Sequence, residues 1–347
     1  MSVLATLIEI VIIRTQSSIA GGVLGFLLHL YRISLQVSTA IMLMKSTFFM
    51  KKQYDEFLVK LWNINPKISW FQSTDLSRII LPYSFFVVLL ILYTGYTTCS
   101  TFGIKFYILH ILEIFQSIHG LIILTVIISL VRCIRFHFSA ITDELLKHQS
   151  IEKMQEWNEV SVIELKMKKT KRIRNIQELT FLHDEVCNLV DNFNALFGVY
   201  SLLTMFLCFI NILIHAGSFS AYVLNEPLHE TQEWSVSTTI VAFQYTIICT
   251  VLPIILAHEC SCVVAEGKKL VATCFSCSSR LPLIPQTPED KLFEKSLSVL
   301  CHQAETRMPQ FSAGGFFTID YSMLASMVGS LTANMIIILQ FMQINKN

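Results

Sequence analysis

Apolar side chains make up 53% of this 347-residue chain, charged ones only 15%, and phenylalanine alone occurs 25 times. That composition excludes an ordinary soluble domain and points to a polytopic membrane protein. The formal net charge of +1 leaves no basic surplus for nucleic acid, and the basic residues gather in particular loops, which is a topological signal.

In chain order the apolar segments are 2–13, 19–44, 79–99, 106–131, 193–224, 236–264 and 316–341. About 20 apolar residues cross a bilayer as a helix, so six of the seven are long enough to span. The first has 12 residues and carries Glu9. It is short for a span, and with no basic region before it and no small-residue cleavage site it does not read as a signal peptide.

Lysine and arginine set the orientation. The 45–78 loop carries Lys45, Lys51, Lys52, Lys60 and Lys67. The 132–183 loop carries Arg132, Arg135, Lys166, Lys168, Lys169, Lys171, Arg172 and Arg174, and the last loop has Lys268, Lys269 and Arg280. The alternate loops carry almost none: 100–105 has Lys105, and 225–234 has none while containing Glu226, Glu230 and Glu233. Basic loops stay in the cytoplasm, so seven spans place the N-terminus inside and the C-terminus outside. A G-protein-coupled receptor has the opposite arrangement. The chain also lacks an Asp/Glu-Arg-Tyr triplet after its third span, and its only Asn-Pro pair, Asn65-Pro66, lies in a loop. No G protein is expected as a partner.

Within the fourth apolar segment His110, Glu113, Gln116, Ser117 and Gly120 share roughly one helical face, with His119 at its margin. Ionisable groups at such depth face a cavity or a partner. Two readings stand: internal pairing of His110 and Glu113, or a ligand pocket open to the outside. Other candidates at similar depth are Tyr93, Tyr96, His215, Gln244 and Tyr245, each of which, taken singly, suits plain packing better than ligand contact.

Between residues 136 and 192 two segments, 141–157 and 168–190, lack Gly and Pro. Ile173, Ile176, Leu179, Leu182, Val186 and Leu189 recur at helical intervals. These amphipathic helices either lie on anionic lipid through the 168–174 basic run or extend the spans into the cytoplasm. After the Pro-rich stretch from Arg280, residues 287–307 read as a helix with Pro288 at its first position and Glu289 and Asp290 in its first turn. Pro309 and Gly314-Gly315 end it.

Ten cysteines raise the question of a metal site. Cys260, Cys262, Cys274 and Cys277 have poor spacing for zinc, and Cys274 and Cys277 fall in a reducing compartment. No metal or cofactor is expected. No phosphate-binding glycine loop, nucleophile elbow or two-histidine zinc motif occurs, so nothing points to an enzyme.

In the final segment Ser326, Ser330, Ala333 and Gln340 fall at a period of about 3.5, with Ile337 on the same stripe. Such a stripe faces other helices or water, or serves close helix packing. The segment closes with Met335, Ile336, Ile337, Ile338 and Leu339 followed by Gln340-Phe341, and opens with Ser312, Gly315, Phe316, Phe317 and Asp320. This ending resembles the C-terminal signature of insect gustatory receptors, a Thr-Tyr pair, five hydrophobic residues and Gln-Phe. Ala333 and Asn334 stand where the family has Thr and Tyr.

The resemblance implies an all-α, seven-transmembrane helix bundle with a cytoplasmic N-terminus, an extracellular C-terminus and a cytoplasmic helical anchor domain. It divides the chain into spans one to four (1–135), cytoplasmic extensions (136–192), spans five and six (193–264), a cytoplasmic connector and helix (265–310) and a pore-lining helix (311–347). Family members carry a cytoplasmic tail ahead of the first span, so that span is expected to be incomplete here. The function implied is a tastant-gated, non-selective cation channel, assembled as a homotetramer or as a heterotetramer with other gustatory receptors in the plasma membrane of sensory neurons. Its ligand is a bitter plant compound or a sugar, and membrane lipid surrounds it. The pore lining expected is Ser326, Ser330, Ala333, Ile337, Gln340 and Phe341. The alternative is a non-conducting subunit that binds ligand or requires a partner receptor.

Overall fold

The computed structural model describes residues 23–44, 51–64, 119–147, 162–223, 236–281 and 287–344, with a few single positions between 85 and 100. Seven helices are described: α1 Val23–Met44, α2 Lys51–Ile64, α3 His119–Lys147, α4 Val162–Val223, α5 Val236–Ser278, α6 Pro288–Thr306 and α7 Tyr321–Ile344. Two short strands, β1 Ser312–Ala313 and β2 Phe317–Thr318, pair antiparallel between α6 and α7. Four of the helices, α3, α4, α5 and α7, are long and apolar enough to cross a membrane. The first apolar segment, 2–13, and most of the third lie outside the described residues.

The organising element is α4. Its 62 residues reach about 93 Å at 1.5 Å per residue, three times the thickness of a hydrocarbon core of about 30 Å. No Gly or Pro interrupts residues 162–197, so nothing allows the 168–190 segment to fold flat onto the lipid. It continues the span instead, and the run 168–174 stands roughly 30 Å from the start of the apolar half at Phe193. The stripe that made this segment amphipathic is its buried face. Ile173, Ile176, Leu179, Leu182, Val186 and Leu189 all lie in the core. Each such side chain contributes about 1.5–3 kcal/mol on removal from water.

The first of the two amphipathic segments, expected over 141–157, begins as the end of α3, with Ile141 and Leu145 buried; residues 148–161 lie outside the described residues. One helix was not anticipated. Within the 45–78 loop α2 forms, with Phe57, Leu61 and Ile64 at helical spacing on its buried face. Tyr54 and Phe57 meet Phe197 of α4 edge-on at 5.5 and 5.9 Å.

The helix expected over 287–307 forms as α6. Thr287 caps it by accepting a hydrogen bond from the Asp290 amide at 3.2 Å and donating to the Asp290 carboxylate at 2.7 Å. Its buried side, Phe293, Leu297, Leu300, Cys301 and Ala304, wedges between α4 and α5. The final apolar segment is not helical from its start. Residues 312–318 form a hairpin, and the helix begins only at Tyr321. Gly314 and Gly315 have φ of 61° and 81°, the left-handed values that a tight hairpin turn demands and that glycine adopts without steric penalty.

Candidate pore helix and its root

Segment 307–313 runs along α4 in the same direction, and three sets of contacts fix it and the turn that follows. Arg307 donates to Asp184, to Asn188 Oδ1 at 3.1 Å and to Asp191 Oδ2 at 2.8 Å, three groups on one face of α4. Burial pulls the Arg307 pKa down, but the Asp184 hydrogen bond and the Asp184 and Asp191 charges outweigh it and hold the group above its ordinary value. Asn194 then acts as a surrogate strand: its Nδ2 donates to the Gln310 carbonyl at 2.7 Å and its Oδ1 accepts from the Ser312 amide at 2.9 Å. Finally Gly198 lets the hairpin lie against the helix. A Cβ there would meet the Gly314 amide nitrogen and the Ser312 carbonyl oxygen at 2.9 Å. Phe311, fully buried, stands edge-on to Phe193 at 5.3 Å.

The root of α7 is capped by Asp320, whose Oδ1 accepts from the amides of Ser322 and Met323 at 2.9 and 3.0 Å. Tyr321 and His258 of α5 share a hydrogen bond of 2.6 Å. The next residue of α5, Glu259, is buried and faces α3. Arg132 donates to its Oε1 from Nε at 2.9 Å and from Nη2, and Arg135 donates to its Oε2 from Nη1 at 3.2 Å. Both carboxylate oxygens are satisfied, which a buried charge requires.

Above its root α7 is the least covered of the candidate spans. Only 11% of its apolar window is buried, against 61% for α4. Its inner face, Met323, Met327, Leu331, Asn334 and Ile338, rests on the bundle. Ser326, Ser330, Ala333, Ile337 and Gln340 are all exposed, on a line about 100° around the helix from that face. The exposed surface is wider than the stripe and also holds Ala325, Val328, Gly329, Thr332 and Ile336. Phe341 lies on α7, but its side chain is outside the described residues. Asn334 donates to the Ser330 carbonyl at 2.8 Å, so its amide turns back on its own helix.

The expected ligand residues are only partly covered. His110, Glu113, Gln116 and Ser117 lie outside the described residues, as do the side chains of Gln244 and Tyr245, which belong to α5. His215 is half-buried on α4, whereas Tyr93 and Tyr96 are exposed. Among the described residues no group of three His, Cys, Asp or Glu could hold a metal. All ten cysteines are free thiols.

Sequence reading missed the Glu259 pairing, the Asn194 bracket and the His258–Tyr321 contact. A signal for the first existed. Glu259 falls inside an apolar segment five residues before its cytoplasmic end, and Arg132 and Arg135 follow the end of another. A carboxylate at that depth needs a partner, and these are the cations at the same level.

A bundle of apolar helices, four of them long enough to span among the described residues, whose last helix is joined to α6 through a glycine hairpin, defines a multi-span membrane protein. The chain belongs to the 7tm Chemosensory receptor family, whose model matches residues 3–345. Its fold is that of the insect olfactory receptor OR5 from Machilis hrabei, solved in complex with eugenol, with a TM-score of 0.59 at 12% identity over 98% of this chain and 87% of that one. No curated protein sequence matches it.

Proposed function

We propose that this chemosensory receptor is a gustatory receptor: a tastant-gated, non-selective cation channel of sensory-neuron plasma membranes, with α7 as its pore helix. The observation that carries the reading is the uncovered stripe of Ser326, Ser330, Ala333, Ile337 and Gln340 on a helix apolar enough to span. In a four-fold assembly of this chain, alone or with other gustatory receptors, that stripe faces the axis. Four Ile337 side chains form a constriction that closes by dewetting, and Gln340 and Phe341 lie toward the outer mouth. No acidic ring lies on the stripe, so discrimination among cations is weak. The loop charges put the N-terminus inside and the C-terminus outside.

A tastant, a bitter plant compound or a sugar, occupies an outward-facing pocket among the second to sixth spans, with Tyr93, Tyr96, His110, Glu113, Gln116, Ser117, His215, Gln244 and Tyr245 as its candidate contacts. OR5, of the same fold, was solved with the small aromatic molecule eugenol, which supports a small-molecule ligand. Tighter binding to the open state shifts the equilibrium toward it. A second reading, a non-conducting subunit that needs a partner receptor, is favoured by Ala333-Asn334 in place of Thr-Tyr and by the Asn334 amide folded onto Ser330.

The test is to express the chain alone and record current while applying sugars, plant alkaloids and eugenol. Ile337→Ala is expected to raise ligand-independent current several-fold. Unchanged current in a conducting channel contradicts the pore assignment, and silence with normal surface expression favours the second reading.

A further inference from the structure

Two adjacent residues of α5 point in different directions and hold different helices. His258 bonds Tyr321, the first residue of α7, at 2.6 Å, and Glu259 is clamped by Arg132 and Arg135 of α3. The geometry points to a mechanical junction: His258 and Glu259 act as one unit that ties the root of the pore helix to the end of the fourth span. This deepens the reading of α7 as the pore helix and rests on it, adding how displacement of α3 reaches the pore.

Two features make the junction stiff toward α3, and a third gives it leverage on α7. Glu259 has 4% of its side chain exposed, and both of its oxygens are engaged from α3, so α3 and α5 cannot slide past each other here without leaving a buried charge unpaired. Helical backbone joins residues 258 and 259, so motion of one is motion of the other. The Tyr321 contact lies in the first turn of α7, beside the Asp320 cap, where a small displacement tilts the whole helix above it. The contact itself is open to exchange: His258 and Tyr321 are both exposed, and Cys262 Sγ lies 3.5 Å from the other ring nitrogen of His258. The junction is thus rigid toward α3 and breakable toward α7. His258, Glu259 and Tyr321 are positioning residues, since they lie a turn or more below the stripe.

The test uses the full chain, purified in lipid nanodiscs, and reads hydrogen exchange of the α7 amides at residues 324–330. Glu259→Gln removes the charge but keeps an acceptor, and Tyr321→Phe removes only the hydroxyl. Glu259→Gln is expected to raise exchange at 324–330 about 5-fold or more, although Glu259 bonds no residue of α7. In the Tyr321→Phe background, where exchange is already raised, adding Glu259→Gln changes it no further. Faster exchange confined to α3 and α5, or two effects that simply multiply, overturns the junction. Should Glu259→Gln not fold, Arg135→Met, which removes only the 3.2 Å contact, takes its place with the same expected pattern. The readout needs no current. A coupled exchange pattern with no effect of Ile337→Ala on a conducting channel defeats the pore reading alone, and the reverse result defeats the junction alone.

Discussion

Glu259→Ala is expected to lower folded protein at the cell surface several-fold. The alanine leaves Arg132 and Arg135 facing a cavity without their shared anion, at the level where α3 and α5 meet. Removing one partner of a fully buried pair costs about 3–5 kcal/mol. Arg132 and Arg135 keep 24% and 39% of their side chains exposed, which puts the loss toward the lower end, still a large part of the roughly 5–15 kcal/mol typical of a folded domain. The same physics gives the control. Replacing all three groups with methionine removes the desolvation penalty together with the attraction, so the triple variant is expected to regain most of the lost surface protein. Fluorescence-detected size exclusion and surface labelling measure both. Normal expression of Glu259→Ala would contradict the view that this carboxylate is an essential counter-ion.

Phe311→Ala is the second large effect. Phe311 sits at the joint between α6 and the hairpin, 2% exposed, against an aromatic row in which Phe193 meets Phe197 at 5.1 Å and Phe197 meets Tyr54 and Phe57. Truncating a buried Phe to Ala costs about 3–5 kcal/mol. The change also loosens the packing that presses segment 307–313 onto α4. A marked drop in the melting temperature of the detergent-solubilised chain is expected, with Phe311→Leu recovering more than half of it. A loss below about 1 kcal/mol would mean that Arg307 and Asn194 alone hold the joint.

Much of the fold was legible because it is written in periodicity. Apolar runs marked the spans that are described, and the 3.6-residue spacing of Ile173, Ile176, Leu179, Leu182, Val186 and Leu189 announced the face that α4 buries. The Pro288 start and the Gly314-Gly315 break were equally local signals. Two local features were harder to see. The α2 helix lies in a loop whose five lysines draw attention to topology and away from its three buried apolar residues. The hairpin at 312–318 is too short for strand periodicity to register.

Contacts between distant residues were not legible. Asn194 and Ser312 lie 118 positions apart and Arg132 and Glu259 lie 127 apart, and no single-chain pattern encodes such pairs. Gly198 shows the limit well. It reads as an unremarkable glycine in an apolar helix, and only the approach of Gly314 explains why no side chain fits. The stripe on α7 was visible from spacing, and its exposure adds that the bundle of one chain leaves it uncovered.

The most direct test of that stripe is cysteine accessibility. No cysteine occurs between residues 308 and 347, so an engineered one there is read without ambiguity by mass spectrometry of that segment. Single cysteines at Ile337 and Gln340 on the stripe, and at Ile338 and Leu331 on the inner face, are exposed to a charged, membrane-impermeant thiol reagent with the chain assembled in lipid. Only a thiol in contact with water ionises and reacts. Rapid modification of Gln340→Cys and Ile337→Cys, with Ile338→Cys and Leu331→Cys protected, is the result expected of a water-lined axis. Modification of the inner-face pair with the stripe protected would contradict it.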